Sequence, residues 1–125
     1  MLDVFLVPEI TAEANGESAP IPLGDAAGKQ YLLTLAITKI VEQESLDVSI
    51  WGSADSQDWG TKPVISFPQK FYKGVYELLL DLSGRPDIQH LKVQWALHRW
   101  GVGAPTPHFS FLVKLQEVGT GARVA

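Results

Sequence analysis

Apolar residues recur at every second position along most of the chain. Leu46, Val48 and Ile50 alternate with Asp47, Ser49 and Trp51. Leu91, Val93, Trp95 and Leu97 share one parity, as do Phe109, Phe111, Val113 and Leu115. This period is that of a strand with one buried face. Leu2 to Val7 reads as a short first strand that Pro8 stops. Val64 to Phe67, held between Pro63 and Pro68, reads as an edge strand, because proline cannot donate to a ladder. Val75 to Leu82 puts Tyr76, Leu78, Leu80 and Leu82 on one face. Gln30 to Glu44 fits both periods, but Thr34, Ile37, Thr38, Ile40 and Val41 branch at Cβ and favour a strand.

Turn residues separate these runs: Gly52 to Gly60, Lys73-Gly74, Ser83 to Pro86, and Gly101 to Pro107. Seven or eight strands with little helix predict an all-β antiparallel β-sandwich of the jelly-roll kind. A single domain over residues 1–125 is expected, with residues 9–30 as a long surface loop holding a short strand near Ile21 to Leu23. Residues 119–125 read as a flexible tail. Parity also predicts a hairpin of the last two strands, either with Trp95 opposite Phe111, Leu97 opposite Phe109 and His98 opposite His108, or shifted by two residues to a pairing sum of 208. Gln94, His98, Trp100, His108 and Ser110 would then share its outer face.

Composition narrows the function. The 125 residues carry a net charge of −4 and no run of Lys or Arg, so nucleic acid is not an expected partner. The absence of cysteine removes disulfides, thiolate metal sites and cysteine nucleophiles. No apolar run approaches the roughly 20 residues that span a bilayer, so no membrane partner is expected. MLDVFLVPEI lacks the pattern of a signal peptide, which predicts a cytoplasmic protein or part of a phage-like particle assembled there. A mean hydropathy of +0.06 leaves room for an apolar contact surface.

No G-x-S-x-G, H-E-x-x-H, G-x-G-x-x-G or P-loop pattern occurs, and the chain is expected not to be an enzyme. His98 and His108 lack a third ligand on their face, so no metal or other cofactor is expected. A structural calcium held by Asp55 and Asp58 is the lesser reading, because such residues usually bond their own turn. Trp95 is inward by parity, and Trp59 is expected to plug one end of the sandwich. Trp51 and Trp100 fall outward. They either contact a protein or sugar, or lie under the 9–30 loop. The stiff loop WGVGAPTPH, residues 100–108, adds a second candidate binding element.

LDVSIWGSADSQDW resembles the strand–turn–Trp segment of discoidin-like, galactose-binding-like jelly rolls, whose turn has the form G-S-x-D-x-x-x-W. Gly52, Ser53, Asp55 and Trp59 fill that form here. IQHLKVQW is similar to the family strand that follows. Similar sandwiches occur in bacterial proteins of unknown function and in phage tail, baseplate and decoration proteins. The resemblance implies that Ser53, Asp55 and Trp59 build the turn. The expected function is a non-catalytic binding or structural interaction module that meets a protein partner or forms a homo-oligomer. Trp51, Asp58, His98, Arg99, Trp100 and His108 are the candidate ligand or partner surface, and Leu112, outward by parity, adds to it. The alternative is a carbohydrate-binding, discoidin-like module, with a glycan stacked on Trp51 or Trp100.

Overall fold

The computed structural model of the chain describes residues 3–40, 44–70, 72–99 and 109–118. Among these the chain forms nine β-strands: β1 (Asp3–Ala12), β2 (Gly16–Glu17), β3 (Ile21–Pro22), β4 (Gln30–Ile40), β5 (Glu44–Ser53), β6 (Ile65–Ser66), β7 (Gly74–Asp81), β8 (His90–Arg99) and β9 (Phe109–Glu117). The one helical piece among the described residues is a 3-10 turn, Gly24–Ala26. A four-stranded sheet has the order β1-β9-β4-β7. A five-stranded sheet has the order β2-β8-β5-β6, with β3 also paired to β8. Every pairing is antiparallel. The protein is therefore an all-β antiparallel sandwich, compatible with a jelly roll.

The core follows from the alternation. β4 turns Tyr31, Leu33, Leu35 and Ile37 inward, and β9 adds Phe109, Phe111, Val113 and Leu115. The facing sheet supplies Leu46, Val48 and Ile50 from β5, and Leu91, Val93 and Leu97 from β8. The Tyr31 hydroxyl donates to the Ala26 carbonyl, which ties the 3-10 turn to the core. Burial pushes the Tyr31 phenol above its ordinary pKa. Gly52 is a packing requirement: a Cβ there would stand 2.9 Å from both Ile88 Cγ2 and Val64 Cγ2.

Three expectations change. β1 does not stop at Pro8 but continues to Ala12, with register shifts between Phe5 and Val7 and between Val7 and Ile10. β1 is an edge strand, where a missing N–H and a bulge are tolerated. Residues 9–30 hold the short strand expected near Ile21 to Leu23, as β3, and a second one, β2, that was not expected. Gly16 and Glu17 pair with Trp95 and Gln94, while Ile21 and Pro22 pair with Leu91 and His90, which lays this segment along the edge of β8 and raises the strand count to nine.

The third change concerns the last two long strands, which form no hairpin. β8 pairs with β5, and β9 lies in the other sheet between β1 and β4. Trp95 and Phe111 still meet, but edge to face across the layers, with ring centres 5.6 Å apart and planes at 74°. Leu97 faces Leu46, Phe109 faces Ile40, and His98 faces Ser45. Parity assigns a side chain to a face but does not choose the neighbouring strand. His108, the loop 100–108 and the tail 119–125 lie outside the described residues.

Candidate functional site

The turn that leaves β5 is closed by its own side chains. The Ser53 hydroxyl donates to Asp55 Oδ1 at 3.0 Å and accepts the backbone N–H groups of Asp55 and Ser56. Asp55 Oδ1 also accepts the N–H groups of Gln57 at 2.8 Å and Asp58 at 3.0 Å. These contacts hold the Asp55 carboxyl below its ordinary pKa, the Asp58 N–H contributing most. Ser56 takes a left-handed φ of 61°, and Asp58 Oδ1 accepts the Gly60 N–H. A cleft of about 440 Å³ opens beside this turn, with Asp55, Asp58, Trp59, Lys62, Arg85 and Asp87 in its walls. Arg85 is already bound to Asp87 by two hydrogen bonds.

Trp59 does not sit in the core. Its ring lies over the Lys92 ammonium, 4.6 Å from the ring centre, and is half-buried. Lys92 projects outward between Leu91 and Val93, yet it is only 8% exposed. Trp59 and Glu17 cover it, and both Glu17 carboxylate oxygens stand 3.4 Å from its Nζ. The ion pair and the ring face together offset the cost of burying the charge. Trp51 is the cross-strand partner of Lys92, and its Nε1 donates to Ser49 Oγ at 2.9 Å. Ser49, Asp47, Gln94, Glu17 and Asn15 line a groove of about 440 Å³ on this outer face. Trp95 closes one wall of it and donates to the Ala14 carbonyl.

The structure separates the surface residues that the sequence grouped. Trp51 sits opposite Lys92, and His98 sits opposite Ser45. Six positions along a strand amount to ~20 Å, so Trp51 and His98 occupy opposite ends of the sheet. His98 Nε2 stands 3.7 Å from Asp47 Oδ2 and is well exposed. Arg99 pairs its backbone with Glu44 at that same end, and its side chain lies outside the described residues, as does Trp100. Ser110 shares no face with these residues. It is buried in the other sheet, bonded to Thr11 Oγ1 at 2.8 Å. His90, opposite Ser53, keeps a buried Nδ1 with no hydrogen-bond partner among the described residues. Among the described residues, no group of three His, Asp or Glu side chains is placed to hold a metal ion.

The other outer face differs in kind. On the four-stranded sheet, Val75 is 67% exposed, Leu79 55% and Phe5 49%. Val75 is in register with Ala36, and Ala36 with Leu112; Leu79 is in register with Leu32. Phe5 is opposite Lys114, whose Nζ reaches Asp3 at 3.4 Å. The LLL run in β7 carried this signal, because its middle residue, Leu79, must face away from the core. No known protein-family model matches the chain, and no curated protein matches its sequence.

Proposed function

We propose that the protein is a non-catalytic interaction module that meets another protein, or another copy of itself, through the outer face of its four-stranded sheet. One observation carries this reading: Phe5, Val75 and Leu79 are exposed on a single face, with Leu32, Ala36 and Leu112 between them. The row Glu77, Thr34 and Lys114 crosses the face between the Val75 and Leu79 rows, and exposed apolar area on either side of it marks a contact site in a folded protein. The finer family reading, a discoidin-like jelly roll of the bacterial or phage-assembly kind, is supported by the turn of Gly52, Ser53, Asp55 and Trp59. It carries with it a cytoplasmic setting or a phage-like particle.

Light scattering behind size exclusion, over a wide concentration series, tests the reading. A defined oligomer that Leu79→Lys dissolves without lowering the melting temperature is the expected result. A parent protein that stays monomeric throughout counts against self-assembly. Carbohydrate binding is the second reading, favoured by the groove of Glu17, Asp47, Ser49 and Gln94 beside Trp51. Its readout is a glycan array.

A further inference from the structure

We propose that the partner is a second copy of this chain, docked edge to edge along β7, so that two four-stranded sheets join into one of eight strands. This rests on the reading of the four-stranded sheet as the contact region, and it places the contact at the β7 edge, beside Val75 and Leu79, rather than over the whole outer face.

The strand edges of the two sheets differ in their capacity to pair. An exposed strand edge invites pairing unless it is short, bulged or interrupted by proline. β1 carries Pro8 and two register shifts. β6 has two residues between Pro63 and Pro68, and β2 and β3 have two residues each. β7 runs for eight residues without proline and pairs with β4 in unbroken register. Among the described residues its other side is unpaired.

The free edge is also oriented for pairing. The Leu82 N–H donates to the Lys29 carbonyl at 2.9 Å. Backbone groups alternate sides along an antiparallel strand, so Tyr76, Leu78 and Leu80 direct theirs to β4. Val75, Glu77, Leu79 and Asp81 then direct N–H and C=O groups to the open side. A second β7 must pair odd positions with odd ones, both to meet these groups and to keep the two inner faces aligned.

One such register is self-complementary. It sets Val75 against Leu79 of the partner subunit, and Lys73 against Asp81 of the partner subunit. Two-fold symmetry repeats both pairs. Its one conflict is Glu77 against Glu77 of the partner subunit on the axis. Sliding by two residues in either direction sets Glu77 against Val75 or Leu79 and separates Lys73 from Asp81, so the centred register is favoured.

Light scattering of the full chain as parent, Glu77→Pro, Glu77→Gln and Leu112→Glu tests this. Glu77→Pro removes an N–H that the monomer fold does not use, and should weaken the dimer by at least about tenfold. Glu77→Gln should tighten it by about threefold, by relieving the like-charge contact. Leu112→Glu, on the same face but two strands from the edge, should weaken the dimer far less than Glu77→Pro does. Hydrogen exchange gives a second readout that needs no variant. The amides of Val75, Glu77, Leu79 and Asp81 should gain protection as concentration rises, while those of Tyr76, Leu78 and Leu80 stay protected throughout. A monomeric parent, or Glu77→Pro assembling like the parent, overturns the edge dimer. An oligomer lost on Leu112→Glu but kept on Glu77→Pro overturns the edge and leaves the face reading standing. An oligomer kept on Leu79→Lys overturns the face reading itself.

Discussion

The two outer faces of the sandwich come from the same alternation and end in opposite states. On the five-stranded sheet, Lys92 and Gln94 project outward and are met by Glu17, which β2 carries onto the edge of β8. Trp59 completes the cover. On the four-stranded sheet, Val75, Leu79 and Phe5 project outward and remain exposed. Outward parity therefore does not make a binding surface. The face that looks chemically richer has its polar groups paired within the chain, and the plainer face is left with unspent apolar area.

The largest effect is expected from loosening the layer between the faces. Phe111 is fully buried in the four-stranded sheet and touches Trp95 of the five-stranded one. Phe111→Ala should cost about 3–5 kcal/mol, read by urea unfolding. A loss confined to one sheet's amides in hydrogen exchange would show that the two layers are not one cooperative core.

The next test strikes the covered face alone. Glu17→Ala strands the Lys92 ammonium beneath Trp59 and should cost about 1 kcal/mol, discounted because Glu17 is itself about half exposed. Lys92→Met removes the charge instead and should be neutral or slightly stabilising. If both substitutions cost alike, the pair rather than the stranded charge is what matters. Thermal melts of the two variants and the double variant decide it.

The smallest effect belongs to the turn beside that face. The folded-state pKa of Asp55 is depressed below its unfolded value, with the backbone N–H of Asp58 as the main cause. A depressed carboxylate adds stability above its unfolded value of about 4, and loses it as pH falls through the folded value. Asp55→Asn should therefore melt earlier than the parent at about pH 7, by a margin that narrows as pH falls below about 4. An offset that does not change with pH would mean that the charge on Asp55 plays no part.

Legibility divided along physical lines. β4 was readable because its β-branched residues favour a strand over a helix, and β6 because Pro63 and Pro68 bound it. The Val75 and Leu79 surface was missed in the sequence, although the LLL run at 78–80 signals an outward Leu79, since a strand cannot turn three consecutive side chains the same way. Pro8 misled, because a proline ends an inner strand but only bends an edge one, and edge position is a tertiary fact. Within residues 9–30, β3 was expected near Ile21 to Leu23 but β2 was missed, because a two-residue strand carries no period and its partner β8 holds it.

By itself the sequence determined the class of fold, most strands and the face of nearly every strand residue. Period two sets those locally, through the pleat of the backbone. Tertiary structure alone decided which strands became neighbours, placing β8 and β9 in different sheets and Trp95 against Phe111 across the core. It also decided that Lys92 is covered while Leu79 is not. Neighbours are chosen by contacts between segments far apart in the chain, and no local pattern encodes which distant segment will arrive.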